Sequence, residues 1–243
     1  MNYSFLQCGE GALTVHLGDG IDPAVNRRVT ALQGAIGSAG LRGITDLIPA
    51  YADLTVCYDC TVISAKALQR QLRRLLDSLS VAGQDRRRVF RLPVCYGGDY
   101  GPDLDFVCHH SGLSVQEVIA LHSQPDYLIY MLGFLPGFAY LGGLDPRLHT
   151  PRLDSPRTCI PAGSVGIGGA QTGVYPLASP GGWQLLGRTP VSVFDRQRQE
   201  PILYRAGDLV HFVPISPADY EEIARAVAAG TYTVQVEEVP VCD

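Results

Sequence analysis

The sequence predicts an α+β fold in two parts, a small ferredoxin-like α/β domain over residues 1–85 and an all-β barrel or sandwich over residues 86–243. Two observations support this prediction. The first part alternates strand-like and helix-like patterns. Residues 133–190 then hold 12 of the 27 glycines and 8 of the 17 prolines, with short β-type runs between them. Many short strands separated by turn residues are typical of a barrel or a sandwich.

The N-terminal domain begins with a strand in ALTVHLG, followed by a helix from Pro23 whose apolar residues recur at helical spacing. Asp22 is placed to cap this helix, and a proline suits its first turn. The run IPAYADLTVCYD predicts strand residues on both sides of a turn. A second amphipathic helix covers residues 64–79, with leucines on one face and arginines on the other. This strand–helix–strand–helix order predicts the ferredoxin-like sandwich.

The C-terminal domain opens with a strand in RVFRLPVCYGG and two short helices, PDLDFVCHH and SVQEVIALHSQ. Ser114 and Glu117 form a capping box at the start of the second helix. Five further runs predict strands: SVGIGG, TGVYPL, WQLLG, VSVFD and DLVHFVPI. One helix interrupts them, with Ser216 as its N-cap and Gly230 just past its end. The alternating run TYTVQVEEV predicts a last strand.

Composition and charge exclude several classes of protein. A hydrophobic content of 46%, a charged content of 18% and a net charge of −5 are typical of a globular chain with a sizeable core. The short basic run at residues 86–88 favours a solvated face over nucleic-acid binding. The N-terminus has no signal-peptide pattern, and seven scattered cysteines suit a reducing compartment. We therefore expect a cytoplasmic protein without a nucleic-acid partner.

The uncharged stretch from Tyr127 to Leu144 is the segment that most resembles a membrane span. It is shorter than the roughly 20 apolar residues that a spanning helix needs. Glycines and a proline interrupt it in the string GFLPGFAYLGGL, and three tyrosines would lie at membrane depth. We therefore expect no membrane-spanning helix and no membrane partner.

Several catalytic motifs are excluded by the residues themselves. The single lysine, Lys66, lies in the second helix, so the chain has no P-loop, no Schiff-base lysine in the glycine-rich region and no biotin attachment site there. GIGGAQTG misses the dinucleotide-binding fingerprint by its last spacing, and GSVG does not match a hydrolase elbow. Dispersed histidines and one pair, Cys57 and Cys60, on an apparent strand predict no metal site.

Polar residues among the glycine turns remain as candidates for a site. The fork of Arg188 suits a carboxylate or phosphate, but a surface salt bridge fits equally. Residues 171–173 offer an amide, a hydroxyl and a backbone N–H for a polar ligand, or form an ordinary turn. Ser164 suits a capping or turn hydroxyl, and His122 suits a buried core position better than catalysis. Trp183 fits either a core plug or an anchor for a partner.

Short strings between residues 93 and 212 keep a fixed order and spacing. They are Pro93-Val94, Tyr96-Gly97-Gly98, Gly101-Pro102-Asp103-Leu104, Glu117-Val118-Ile119 with His122, GFLPGFAYLGG, Pro151-Arg152, Pro161-Ala162-Gly163-Ser164-Val165, Gln171-Thr172-Gly173-Val174-Tyr175-Pro176, Ser179-Pro180-Gly181-Gly182-Trp183, Gly187-Arg188-Thr189-Pro190 and Gly207-Asp208. Together these strings resemble the B-subunit of bacterial 5-oxoprolinase, whose family is also called allophanate hydrolase subunit 1 or KipI.

The resemblance implies a cyclophilin-like β-barrel behind a small α/β domain, related to the carboxyltransferase part of urea carboxylases. It also implies two partner chains, the C-subunit and a third subunit, and an ATP-dependent opening of the 5-oxoproline lactam to L-glutamate. We expect ATP to be bound by the C-subunit or shared with it, and this chain to be inactive alone. Two alternatives stay open: a KipI-like inhibitor of a sporulation histidine kinase, and a subunit that acts on allophanate or urea-derived substrates.

The resemblance further implies roles for particular residues. His122 is expected to shuttle a proton and Arg188 to clamp an anion. Glycine turns at Gly163 and Gly173 would offer N–H groups to a developing oxyanion. The residues expected to bind substrate or nucleotide are Arg152, Arg157, Gly163, Ser164, Gln171, Thr172, Gly173 and Thr189. Those expected to line a cleft or a partner surface are Phe134, Pro136, Phe138, Tyr140 and Trp183.

Overall fold

The computed structural model describes residues 3–79, 86–133 and 135–240. The chain divides between residues 85 and 86 into two compact units. Each unit combines strands with helices and has its own hydrophobic core. The α+β fold class predicted from the sequence is therefore confirmed.

The first unit is a four-stranded antiparallel sheet with two helices. Its elements are β1 (Ser4–Cys8), β2 (Ala12–His16), α1 (Pro23–Ala39), β3 (Ile44–Pro49), β4 (Asp53–Tyr58) and α2 (Ala65–Asp77), with strand order β1-β2-β4-β3. Strand β4 lies between β2 and β3, which is the split β-α-β arrangement of a ferredoxin-like sandwich. The edge strand beside β2 comes first in the chain instead of last, so the predicted sandwich is present in a permuted order.

Capping and burial explain the two helices of this unit. The Asp22 carboxylate accepts a hydrogen bond from Ala24 N at 2.7 Å, as predicted, and the Ser64 hydroxyl accepts one from Ala67 N at 3.3 Å. The apolar face of each helix packs on the sheet; its fully buried residues are Val29, Leu32, Ile36, Leu68, Leu72 and Leu76.

The second unit is a closed barrel of seven strands in the order β12-β9-β10-β7-β6-β13-β5, with β5 pairing back onto β12. Strand β14 pairs beside the first half of β5, and β8 and β11 form a separate two-stranded sheet. The elements are β5 (Arg86–Tyr96), α3 (Leu104–Ser111), α4 (Val115–Ser123), β6 (Asp126–Leu132), β7 (Ala139–Gly142), β8 (Arg157–Ile160), β9 (Ser164–Gly168), β10 (Gln171–Val174), β11 (Ser179–Gly181), β12 (Gln184–Arg188), β13 (Leu209–Ile215), α5 (Pro217–Ala228) and β14 (Gln235–Pro240).

Two predicted strands differ from the structure. The run VSVFD forms only an isolated bridge, between Phe194 and Ile202. Its alternating valines, Val191 and Val193, are buried in the barrel core. The alternation of apolar residues therefore results from this burial and not from pairing in a strand. The last strand begins four residues later than TYTV suggests, because the N–H groups of residues 231 and 232 donate to the Ala226 carbonyl at the end of α5.

The uncharged stretch at residues 127–144 contributes β6 and β7, two neighbouring strands of the barrel. Among the described residues, no helix is long and apolar enough to cross a membrane.

Glycines of the barrel lie directly beneath aromatic rings. A Cβ added at Gly168 would overlap the indole of Trp183, and one added at Gly142 would overlap the ring of Tyr130. Gly173 faces the same indole, with Trp183 Cζ3 only 3.2 Å from the place of a Cβ. Two glycines of the string at residues 166–173, Gly168 and Gly173, are therefore explained by the space that the Trp183 ring needs on the strand surface.

Replacing Gly168 with alanine is expected to destabilise the second unit by about 1–3 kcal/mol, because the methyl group overpacks against Trp183. The control is Gly182→Ala, since the nearest atom to its Cβ would be 3.6 Å away. The free energy of unfolding of this control should stay within about 0.5 kcal/mol of that of the parent protein. Urea unfolding followed through Trp183, the single tryptophan, measures both. Equal losses in the two variants would contradict the explanation.

Candidate functional site

Most of the predicted site residues lie in, or directly next to, the four strands β7, β9, β10 and β12, which form one wall of the barrel. Side chains alternate along these strands. Val165 and Ile167 of β9 point into the barrel core, whereas Gly166 and Gly168 face outwards beneath Leu185 and Trp183. A cluster of Phe138, Ile160, Tyr175, Trp183 and Leu185 covers the outward face. We call it the aromatic cluster.

The aromatic cluster is held by edge-to-face contacts. The ring centroids of Phe138 and Trp183 lie 5.5 Å apart at 71°, and those of Phe138 and Tyr175 lie 5.6 Å apart at 84°. Such pairs contribute about 0.5–1.5 kcal/mol beyond their buried area. Phe138 and Trp183 are only 4% exposed. In this structure Trp183 is therefore buried among the rings of the aromatic cluster, which is the environment of a core residue.

The remaining residues predicted for a cleft or partner surface come from the β6–β7 connection and from β7, which holds Tyr140. Pro136 is exposed and Tyr140 is half-buried, while Phe134 lies outside the described residues. The connection is closed by a hydrogen bond from Gly133 N to Phe138 O at 2.7 Å. The Tyr204 hydroxyl also donates to the Gly137 carbonyl at 2.9 Å. The described residues of the string GFLPGFAYLGGL thus belong to this closed connection and to the barrel strand β7 that follows it.

Arg188 ends β12, opposite Ser164 on β9 and Cys95 on β5. Its side chain is half-buried, and its Nε donates to the Ala162 carbonyl at 2.9 Å. Within the described ranges, its two terminal nitrogens make no other hydrogen bond or ion pair. Tyr220 on α5 lies close enough for the charge of Arg188 to act on its hydroxyl, whose pKa is raised overall by burial. Arg188 is thus a cation in a fixed position whose two terminal nitrogens can donate hydrogen bonds to a ligand.

Three further predicted residues surround Arg188: Gly163, Ser164 and Thr189. We call these four residues the Arg188 corner. Thr189 N donates to the Gly163 carbonyl at 2.9 Å, and Gly163 N donates to the Tyr175 carbonyl at 2.7 Å. Gly163 has a φ of +81°, and a Cβ there would overlap the Thr189 carbonyl. Only glycine fits this turn without strain.

The backbone roles predicted for the two glycines need correction. The N–H of Gly163 is already used by the Tyr175 carbonyl, so it is not available to an oxyanion in this structure. Gly173 pairs with Gly166 in the β9–β10 ladder and lies beneath Trp183. Residues 171–173 form strand β10 and not an ordinary turn, with Gln171 half-buried at its start.

Arg157 and Arg152 lie at the opposite end of β12 from Arg188. Arg157 Nη2 donates to Asp103 Oδ1 at 2.7 Å, and Asp103 Oδ2 accepts from Leu185 N. The exposed Arg152 lies over the Trp183 ring at 6.0 Å. Trp183 and Arg188 are five residues apart, which is about 17 Å along a strand. The three arginines therefore do not form one anion clamp.

His122 is fully buried and belongs to a chain of hydrogen bonds in the barrel core. Thr172 Oγ1 donates to the Gly166 carbonyl at 3.0 Å, so it accepts from His122 Nε2 at 2.8 Å. Nδ1 then accepts from the Tyr96 hydroxyl at 2.8 Å. The ring stacks on Phe212, with centroids 4.8 Å apart.

Burial lowers the pKa of His122 to about 3, so the ring is neutral. The structure thus gives His122 the core position that the sequence also allowed. Its predicted role as a proton shuttle is not supported by this geometry, because no atom of the ring is exposed.

Sequence reasoning missed three residues that organise this wall: Tyr96, Asp103 and Tyr220. Tyr96 and Asp103 lie within the family-like strings at residues 96–104, so their position in those strings was the available signal. Tyr220 lies on α5, and nothing in the local sequence of that helix places it near Arg188.

The closed barrel and the small split β-α-β unit before it belong to a protein of the carboxyltransferase-domain type, as the family match over most of the chain shows. The family described as "Carboxyltransferase domain, subdomain C and D" matches residues 3–204. The chain is 43% identical to the 5-oxoprolinase B-subunit of Bacillus subtilis, over 90% of this chain and 96% of that protein. It is 45% identical to the 5-oxoprolinase B-subunit of Escherichia coli O157:H7, over 85% and 93% of the two chains. The chain belongs to the family of 5-oxoprolinase B-subunits.

Solved structures show the same fold. The crystal structure of TTHA0988 superposes with a TM-score of 0.75 at 41% identity, covering 84% of this chain and 40% of that longer chain. The Kluyveromyces lactis urea carboxylase superposes with a TM-score of 0.81 over 98% of this chain and 24% of that chain. Its identity is 22%, so it shows a shared fold alone.

Acidification is expected to destabilise the barrel through His122. Its pKa in the unfolded chain is about 6.5, whereas the folded value is about 3. Between these two pH values the unfolded state binds more protons than the folded state. The contribution of His122 to the free energy of unfolding is therefore fully present above pH 6.5 and decreases as the pH falls. The loss from this residue reaches about 2 kcal/mol at pH 5.

Urea unfolding between pH 5 and pH 7.5 measures this dependence, with His122→Asn as the comparison. The variant is expected to have a lower free energy of unfolding at every pH. It should lack the part of the pH dependence of that free energy that comes from His122. An unchanged slope would contradict the neutral, buried ring.

Proposed function

We propose that this chain is the B-subunit of an ATP-dependent 5-oxoprolinase, which opens the lactam of 5-oxoproline to L-glutamate together with a C-subunit and a third subunit. The observation that carries the proposal is the 43% identity to the 5-oxoprolinase B-subunit of Bacillus subtilis over 96% of that protein. The two chains are therefore comparable along almost their whole length, including the Arg188 corner.

The chemistry explains why such an enzyme would need ATP. Amide resonance makes the lactam carbonyl a poor electrophile. Transfer of the terminal phosphoryl group of ATP to the carbonyl oxygen turns that oxygen into a leaving group. Water then adds to the carbon, the C–N bond breaks as the nitrogen takes a proton, and a second water hydrolyses the resulting acyl phosphate to the carboxylate of glutamate and free phosphate. Negative charge is present on oxygen at each stage, so fixed cationic donors lower the barrier.

The Arg188 corner supplies one such donor. The bond from its Nε to Ala162 O fixes the plane of the guanidinium, and the Gly163–Thr189 bond fixes the turn beside it. The two terminal nitrogens suit either the carboxylate of 5-oxoproline or a phosphate. Half-burial strengthens that attraction relative to bulk water. Ser164, opposite Arg188, is proposed to contribute its hydroxyl.

The nucleotide is proposed to lie on the C-subunit or between the two chains. A triphosphate carries several negative charges, and the corner offers one arginine. The chain's single lysine lies on α2 of the first unit. Arg152 and Pro136, both exposed, are proposed to contact the partner. The arginine stem would then extend the aromatic cluster towards that chain.

Arg188→Ala is expected to lower kcat/KM for 5-oxoproline about 100-fold in the mixture of three subunits, the size of effect seen when one hydrogen-bond donor to an oxyanion is lost. Arg188→Lys should recover part of the rate, because a point charge replaces the fork. The control is Arg196→Ala, an exposed arginine outside the corner. ATP-dependent glutamate release measures all three.

Parental activity of a folded Arg188→Ala variant would overturn the assignment of the corner. A mixture that consumes allophanate or urea but not 5-oxoproline would instead support the alternative substrate class.

A further inference from the structure

A second site lies at the other end of β5 from the Arg188 corner. An open cavity of about 540 Å³ is lined by Arg88 of β5, Leu132 of β6 and the loop at residues 194–205. Arg88 and Cys95 are seven residues apart on β5, which is about 23 Å along an extended strand, and Cys95 is the residue that pairs with Arg188. The cavity is therefore separate from the corner.

The floor of this cavity is apolar and fixed. Phe194 and Ile202 form a β-bridge across the loop. Tyr204 is 3% exposed, its ring meets Phe90 edge-to-face at 6.1 Å, and its hydroxyl is used by the Gly137 carbonyl. The floor thus offers an apolar surface with its polar group already satisfied, which suits an apolar side chain of a ligand.

Arg88 is positioned in advance. Its Nε and Nη2 form a bidentate pair with Oδ1 and Oδ2 of Asp208, at 3.1 and 2.6 Å. Asp208 is itself buried and accepts a further hydrogen bond from Arg205 N at 2.9 Å. Arg88 lines the cavity, and among the described residues its Nη1 makes no hydrogen bond, so this nitrogen of a fixed guanidinium is left as a donor.

The charges around the cavity indicate the kind of ligand. Arg88 and Asp208 neutralise one another, so among the residues that line the cavity the remaining charges are those of Glu200 and Arg205, both exposed. One anion and one cation are a poor match for a polyanion such as ATP. They match a zwitterion, whose carboxylate meets Arg205 and the free donor of Arg88 while its ammonium meets Glu200.

We propose that this cavity binds a small zwitterion with an apolar side chain, of the amino-acid or dipeptide class. The apolar side chain lies on Phe194, Ile202 and Tyr204, and the two charged ends lie at Arg205 and Glu200. The proposal does not depend on lactam cleavage, since it uses none of the residues of the Arg188 corner.

Isothermal titration calorimetry of the full chain tests the proposal with L-phenylalanine and leucyl-phenylalanine as probes. We expect saturable binding of at least one of them. N-acetyl-phenylalaninamide has the same side chain without the charges and should bind at least about tenfold more weakly. Stronger binding of the amino acid or of the dipeptide distinguishes the two sizes of ligand.

Two exposed positions provide variants that should fold. Arg205→Ala and Glu200→Gln are each expected to weaken binding about tenfold, whereas Arg196→Ala, on the same loop but outside the cavity, should bind like the parent. The proposal is overturned if neither zwitterion binds saturably, if the uncharged amide binds equally well, or if both cavity variants bind like the parent.

Discussion

Closure of the barrel depends on a seam of two residue pairs between β12 and β5, Gly187 with Tyr96 and Arg188 with Cys95. The two backbones approach closely because Gly187 has no side chain; a Cβ there would lie 2.5 Å from the Cys95 carbonyl oxygen. On the inner side, Tyr96 reaches the buried His122. On the outer side, the same pairing places Arg188 at its corner. One short contact therefore connects the fold to the site.

Much of the fold follows from local chemistry. The capping box at Ser114 formed as predicted, and the density of turn residues predicted a barrel or sandwich of short strands, of which the structure shows the barrel. The permuted strand order of the first unit could not be predicted from local sequence. Its edge strand β1 is short and mostly exposed, Leu6 included, so it has no alternating burial pattern to reveal it. The prediction of a strand in VSVFD was wrong for a different reason. Its apolar alternation reflects valines that enter the core from a loop, which periodicity alone does not distinguish from pairing.

The candidate site was predictable only in part. The strings at residues 161–165 and 187–190 hold several of the predicted site residues, and antiparallel pairing of β9 with β12 brings them to one corner. Partners from distant segments could not be found from local sequence: Asp103 for Arg157, and Phe212 above His122. Burial decides whether a histidine titrates near neutrality. That burial comes from strands that the sequence pattern does not connect.

We propose that this chain works as one part of a lactam-opening assembly. The most direct measurement is ATP-dependent glutamate release from 5-oxoproline by this chain, the C-subunit and the third subunit, with each omitted in turn. We expect release from the complete mixture and background rates from every incomplete one. Full release by this chain alone, or by a mixture without it, would contradict the claim.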